Sequence, residues 1–259
     1  MKTILITGAT DGIGELTAGQ LAAQGHKVLL HGRSAEKLAV VAAKIDGAET
    51  YRADLSDLAA VRTMAAKVME THNRLDVLIN NAGVLKAVRT KAPSGRDIRF
   101  EVNTLAPYVL TRALLPIIPV EGRIINLSSA AQGPVDVNAM ADGRAMDHMD
   151  AYAQSKLALT IWSSELAREF PNGPSIVSVN PGSLLASKMV KEGFGIAGND
   201  LSIGAGILMQ AALSEAFEGA SGRYFDNDAG RFAQPHIAAQ KADHVAMVMA
   251  AIRDLVGEG

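Results

Sequence analysis

The chain has no cysteine among its 259 residues, a formal net charge of only −2, and no run of about 20 apolar residues. Each absence removes a class of function. Without thiols there are no disulfides and no thiolate metal sites. A near-neutral balance, with lysine and arginine scattered along the sequence, offers nucleic acid no basic field. The first residues read as a core strand, without a cationic, apolar leader, so no membrane partner is expected and the expected location is the cytoplasm. Internal repeats, low-complexity tracts and linkers are lacking as well. With 48% apolar residues the chain can bury a large core, and one domain over residues 1–259 is expected.

What is present is an alternation. Strand-like runs fall near 2–7, 26–31, 48–53, 75–80, 122–128, 174–180 and 222–225, separated by helical stretches. This pattern predicts right-handed βαβ crossovers and a buried, doubly wound parallel sheet with helices on both faces. Two segments interrupt it, 132–150 and 183–199, rich in Gly, Met, Asp or Asn and poor in periodicity. Both follow predicted strand ends, where ligands bind in open α/β sheets, and irregular segments of this length are usually functional or mobile loops.

The first strand runs into Gly8-Ala9-Thr10-Asp11-Gly12-Ile13-Gly14 and then a helical pattern from Glu15 to Gln24. Strand, glycine loop and helix occur in the order a dinucleotide site needs. Glycines permit the tight turn and close backbone approach, and the helix N-terminus favours a pyrophosphate. The candidate residues there are Gly8, Thr10, Asp11, Gly12, Ile13 and Gly14.

The chemistry is carried by Tyr152-Ala153-Gln154-Ser155-Lys156, which opens an apolar-periodic stretch reaching about Phe170. In a helix, residues four apart share a face, so the Lys156 ammonium lies beside the Tyr152 phenol. A neighbouring cation is expected to pull the phenol below its usual value of about 10 and make it an acid. Alone, such a pair occurs often by chance.

Its companions give it meaning. Thr7-Gly8-x-x-x-Gly12-x-Gly14, Asp54, Asn80-Asn81-Ala82-Gly83, Asn103, Ser129, Tyr152-x-x-x-Lys156 and Pro181-Gly182 follow one another in the order found in short-chain dehydrogenases/reductases, and the chain resembles that family from Thr7 to about Leu255. The longer interval from Ser129 to Tyr152, with the insertion 132–150, and Ser221-Gly222-Arg223-Tyr224-Phe225 resemble its retinol-dehydrogenase-like branch. The resemblance implies a single-domain Rossmann fold with a seven-stranded parallel sheet of order 3-2-1-4-5-6-7.

It also implies roles. Asp54, with Leu55 beside it, resembles the aspartate that meets the adenine amino group; Ser56 is the better candidate for the adjoining helix cap. Asn80, Ala82 and Gly83 resemble the turn that lines the adenosine. In the second strand's end, Val28-Leu29-Leu30-His31-Gly32-Arg33, glycine stands where NAD-dependent members carry aspartate. Arg33 follows it, before the cap Ser34, and offers a guanidinium to a 2′-phosphate, so NADP(H) is favoured over NAD(H). His31 could assist but reads as structural.

For the chemistry, Tyr152 is the proton donor, Lys156 lowers the phenol and holds the nicotinamide ribose, and Ser129 donates to the substrate oxygen. Ser129 is preferred to Ser128, which points to the other side of the strand, although Gln132 stands where the family has glycine. Asn103, inside the predicted helix Asp97 to Ile118, resembles the asparagine that kinks that helix and holds a water leading to the lysine; Pro107 can share the distortion. Pro181 and Gly182 lie near the nicotinamide, with Ser187 replacing the usual threonine.

The implied activity is NADP(H)-dependent interconversion of a carbonyl and an alcohol on a small, largely apolar substrate, since Lys188 and Lys191 alone do not suit a polyanion. Met140, Met146 and Met149 of the insertion either wall the substrate or pack a lid. Residue types alone would permit a metal at Asp147, His148 and Asp150, but exposed acidic loops are common and none is expected. Reduction of an activated C=C bond is a rival on the same scaffold. A non-catalytic nucleotide sensor is another, which loss of Ser129, Tyr152 or Lys156 would have supported. Apolar positions on the helices of Asn103 and Tyr152, beyond those one sheet contact needs, are consistent with a homodimer or homotetramer.

Overall fold

The computed structural model describes residues 1–185 and 198–258. Strands β1 (Thr3–Ile6), β2 (Lys27–Gly32), β3 (Glu49–Arg52), β4 (Val77–Asn80), β5 (Arg123–Leu127), β6 (Ser175–Asn180), β7 (Tyr224–Asp226) and β8 (Arg231–Ala233) form one sheet of order 3-2-1-4-5-6-7-8. The first seven run parallel, as expected. The eighth was not foreseen. It pairs antiparallel with β7, Phe225 opposite Phe232, and its three residues are too few to show a period of two. Packing holds this edge: the rings of Phe217, Phe225 and Phe232 lie 5.1–5.3 Å apart.

Successive residues of a strand point to opposite faces, and the two halves of the core follow from that. On β1, Leu5 joins Leu29, Leu78, Ile124 and Ile176 under α3 (Leu58–Thr71), α5 (Ala106–Leu114) and α7 (His148–Glu169). Ile4 and Ile6 join Val28, Val77 and Val177 under α1 (Gly12–Ala23), α2 (Ala35–Ala42) and α8 (Leu201–Leu213). Strand order reverses between β1 and β4, which opens a crevice at their carboxyl ends.

The helix expected from Asp97 to Ile118 is broken into α4 (Ile98–Phe100), a π turn (Glu101–Leu105), α5 and a 3₁₀ turn (Leu115–Ile117). In the π turn the Ala106 N–H reaches back to the Glu101 carbonyl. Proline at 107 supplies no N–H to the carbonyl of Asn103 four residues earlier, so the regular ladder cannot close there. Other boundaries shift for local reasons. α1 begins at Gly12, and α7 begins at His148, where the Asp147 carboxylate accepts from the N–H groups of Met149 and Asp150. Asp57, and not Ser56, caps α3, because Ser56 donates its hydroxyl to Asp54 at 2.8 Å.

The insertion 132–150 is more ordered than its composition suggests. It contains α6 (Val137–Asp142), capped by Asp136 and stopped by Gly143 at φ 65°. Met140 is fully buried in the core and Met146 packs against it, so neither is a free wall. His148 meets the Arg99 guanidinium, itself buried and paired with Asp97. A cation beside His148 argues against a metal there, and no group of His, Asp or Glu suited to a metal occurs among the described residues. No described helix is long and apolar enough to cross a membrane.

Part of the apolar surface of α7 is covered by the last described helix. Val248, Met249, Ile252 and Val256 of α9 (Ala242–Val256) join the cluster containing Tyr108 and Trp162, whose rings meet edge to face at 5.6 Å. The Tyr108 hydroxyl donates to Glu258 at 3.0 Å, and burial pushes that phenol up to about 12. Ile252→Ala should therefore destabilise the fold by about 2–5 kcal/mol in urea unfolding, far more than an exposed change on the same helix such as Met247→Ala.

Candidate active site

The glycine loop is built by close approach. Gly8 and Gly12 adopt φ 67° and 55°. A Cβ at Gly14 would stand 2.3 Å from the Gly8 carbonyl oxygen and 2.4 Å from Asn81 Nδ2, so only glycine lets α1 start against the loop. Asn81 donates to the carbonyls of Thr7 and Gly8 at 2.8 and 3.2 Å, and the Thr7 hydroxyl accepts from Ala82 N–H at 3.1 Å. Asp11 makes no capping bond at the start of α1 and instead pairs with Lys37, leaving the first-turn N–H groups to face the crevice. Ile13 packs toward Gly204 of α8, where a Cβ would come within 3.0 Å of its Cδ1.

One expected cofactor residue faces the other way. Asn80, still within β4, is buried and donates to Thr111 Oγ1 and Asn126 Oδ1 at 3.0 and 2.8 Å, away from the glycine loop. Its neighbour Asn81, with Ala82 and Gly83 following, makes the contact. Leu55 likewise buries its side chain in the core, leaving its backbone for the crevice. Asp54 sits at the end of β3, where burial works to raise its carboxyl but the Ser56 hydrogen bonds and the charges of Arg33 and Arg89 hold it low.

Arg33 is exposed beyond β2, and its carbonyl accepts from Arg52 Nε at 3.2 Å. Gly32 is pressed against Thr10: a Cβ there would lie 2.7 Å from Thr10 Cγ2. A side chain at Gly32 would have to displace that of Thr10. Ser34 caps α2 as expected, accepting from Lys37 N–H. His31 is buried; it accepts from Gly8 N–H at 3.2 Å and lies 3.2 Å from the Ala53 carbonyl, and burial lowers it to about 4. It is a neutral strut for the loop, out of reach of a phosphate.

At the ends of β5 and α7 the catalytic candidates meet. Lys156, 3% exposed, donates its ammonium to the Leu127 carbonyl at 2.6 Å, and Nζ lies 5.7 Å from the centre of the Tyr152 ring. Burial lowers Lys156 to about 8. Burial also raises the Tyr152 phenol, and the influence of the neighbouring Ser129 hydroxyl pulls the other way. The expected depression of the phenol by Lys156 is not what sets its direction here: desolvation does. Ser128 is turned under the sheet toward Thr160, 2.7 Å away, while Ser129 stays half-buried in the cleft.

Asn103 is fully buried and joins two sides of the cleft. Its amide donates to the Val84 carbonyl at 2.9 Å and Ser155 Oγ at 3.0 Å and accepts from Val84 N–H at 2.8 Å. Its side chain is therefore fully engaged. Gly182, at φ 121°, follows Pro181, and the next residue, Ser183, is fastened to Asp228 through its N–H at 2.8 Å and its hydroxyl at 2.6 Å. Ser187, Lys188 and Lys191 lie outside the described residues.

The family model described as short chain dehydrogenase matches residues 2–194. The chain belongs to the short-chain dehydrogenase/reductase family. It is an oxidoreductase of the retinol-dehydrogenase-like kind. Over 253 residues it is 33% identical to retinol dehydrogenase 13 of Homo sapiens, covering 87% of this chain and 76% of that protein. Retinol dehydrogenase 12 of Homo sapiens is 31% identical over 246 residues, 87% of this chain and 78% of its own. Among solved structures, a Mycobacterium paratuberculosis protein superposes with TM-score 0.81 at 27% identity, covering 99% of this chain and 94% of that one. A Burkholderia cenocepacia short-chain dehydrogenase in complex with NADP has TM-score 0.70 at 28% identity, covering 87% and 95%.

The lysine in this short-chain dehydrogenase/reductase has a measurable signature. Its folded value of about 8 lies below the ordinary 10.5, so between those values the folded state binds fewer protons than the unfolded one, and stability attributable to this group rises with pH. Wild type should gain stability relative to Lys156→Met as pH is raised from 8 to 10.5. A flat difference in urea unfolding across that window would show that the ammonium is not desolvated.

Proposed function

We propose that the chain is an NADP(H)-dependent oxidoreductase, acting as one domain, that interconverts an aldehyde or ketone and an alcohol on a small, largely apolar substrate. The observation that carries this reading is the junction of Tyr152, buried Lys156 and Ser129 at the rim of a crevice whose other wall is the glycine loop. The residues present fit a dinucleotide. The N–H groups at the start of α1 suit the pyrophosphate, Asp54 the adenine amino group, and Arg33 a 2′-phosphate; no ribose-binding carboxylate stands at Gly32. Two NADP-complexed structural neighbours lend further support.

The bound nicotinamide supplies or accepts hydride at the carbon of the carbonyl or alcohol. The chain's own residues manage charge and protons. As negative charge grows on the substrate oxygen, Ser129 donates a hydrogen bond and Tyr152 gives its proton to that oxygen. Burial keeps the phenol protonated until then, so it enters the step as an acid. Lys156 lies close enough to stabilise the phenolate left behind and can also hold the nicotinamide ribose. The Asn103 carbonyl, next to the helix of Lys156, offers a water an acceptor on the way to solvent. The relatives' names point to retinol, an apolar alcohol, which agrees with an apolar substrate class.

Two measurements test this. Tyr152→Phe should bind NADPH within about twofold of wild type yet turn over a panel of aldehydes and ketones at least about 100-fold more slowly; unchanged turnover would refute the assignment. Arg33→Ala should weaken NADPH binding about tenfold and leave NADH binding unaltered. Equal losses for both cofactors would remove the basis for the NADP(H) preference.

A further inference from the structure

Gln132 stands where the family pattern has glycine, and its side chain is fully engaged. Nε2 donates to the Ser129 carbonyl at 3.0 Å and to the Ser128 hydroxyl at 3.3 Å. Oε1 accepts from the backbone N–H of His236 at 2.9 Å, in the segment after β8. The Ser129 carbonyl receives a second hydrogen bond, at 3.1 Å, from the Tyr224 phenol on β7. Tyr224 is 6% exposed, and burial raises its phenol further, so it remains a donor at every working pH.

These contacts converge on a residue that lies just past the end of β5 and outside the sheet ladder. The backbone just past the strand is free to shift unless its carbonyl is held, and any shift carries the Ser129 side chain with it; Oγ itself accepts from the Ala131 N–H at 3.1 Å. Here both lone pairs of the carbonyl are taken, by donors from two separate parts of the chain. Catalytic hydrogen-bond donors are effective when they are already aimed before charge develops.

We propose that Gln132 and Tyr224 are positioning residues that clamp the Ser129 peptide, so that its hydroxyl stays aimed at the Tyr152 phenol and the substrate oxygen. His236 serves as the fixed post that orients Gln132. The substrate part of this inference rests on the function proposed above, whereas the influence of the Ser129 hydroxyl on the Tyr152 phenol is a property of the protein alone.

The experiment compares Gln132→Met, Tyr224→Phe, their double variant and Ser129→Ala. In protein labelled at tyrosine Cζ, without cofactor, the ¹³C signal of Tyr152 is identified by its loss in Tyr152→Phe. Gln132→Met and Tyr224→Phe should shift that signal, and its titration, in the same direction as Ser129→Ala. With NADPH and a carbonyl substrate, each single variant should lower kcat about fivefold, roughly the worth of one hydrogen bond, and the double variant more, with the Kd for NADPH and KM within about twofold. Gln132→Glu adds a distinctive sign: an ionised carboxyl cannot donate, so kcat should be depressed at pH 8 and recover as pH falls and the carboxyl regains its proton. Wild type should show no such limb. A Tyr152 signal unmoved in both variants while Ser129→Ala moves it would overturn the clamp, as would losses that track NADPH affinity and melting temperature instead of kcat. If no carbonyl is reduced even by wild type, the proposed function fails, and the NMR comparison still decides the clamp.

Discussion

The cleft is organised by a buried ammonium held against a backbone carbonyl. Lys156 reaches from α7 to the last residue of β5, and the bond to Leu127 fixes how the longest helix sits on the sheet. With that register set, Tyr152 one turn earlier can only face the strand ends, and the residues just beyond β5 fall beside it. The same burial that makes the bond strong makes the charge expensive, since a desolvated cation has given up its water. A chain selected for stability alone would place an apolar side chain at this position. Here the cost is retained at the candidate site, and conflicts between local rules and use are expected at such places.

The two faces of the sheet divide the work around this bond. The α1 side presents a loop stripped of side chains, with Gly14 so close to Gly8 and Asn81 that no Cβ fits. The α7 side presents a dense set of polar groups, each already committed to a partner: Asn103 to Val84 and Ser155, Ser128 to Thr160, and Asn126 to Ser163. One wall is shaped for a ligand's backbone contacts and the other for its chemistry. They meet because strand order reverses between β1 and β4.

Much of this was legible from residues alone because the signals were local. The seven parallel strands lie within two residues of their expected bounds, and the glycine loop and the Tyr152–Lys156 pair are where their motifs put them. What escaped depended on partners distant in the chain, or on which way a side chain turns. Asn80 and Asn81 are adjacent and chemically identical; the strand continues through the first, which therefore points at Asn126, and ends before the second, which is released toward Thr7. The start of α1 was set too late because glycine inside a helix reads as loop. Gln132 registered only as a departure from a pattern, since its partner His236 lies on the far side of the chain from it in sequence. The phenol's protonation was misjudged for a related reason. Helical spacing shows that a cation is near, but not how far each group is withdrawn from water, and here desolvation sets the direction for both.

The closing helix α9 has a consequence for self-association. Its apolar side lies over α7, and the chain end reaches Tyr108 and Arg62, whose guanidinium donates to the Val256 carbonyl. A second copy could reach the part of α7 beneath this helix only by first peeling it away, which would expose the same apolar area that association there would hide. For that part of α7, cohesion is intramolecular, and its strength does not vary with how much protein is in solution.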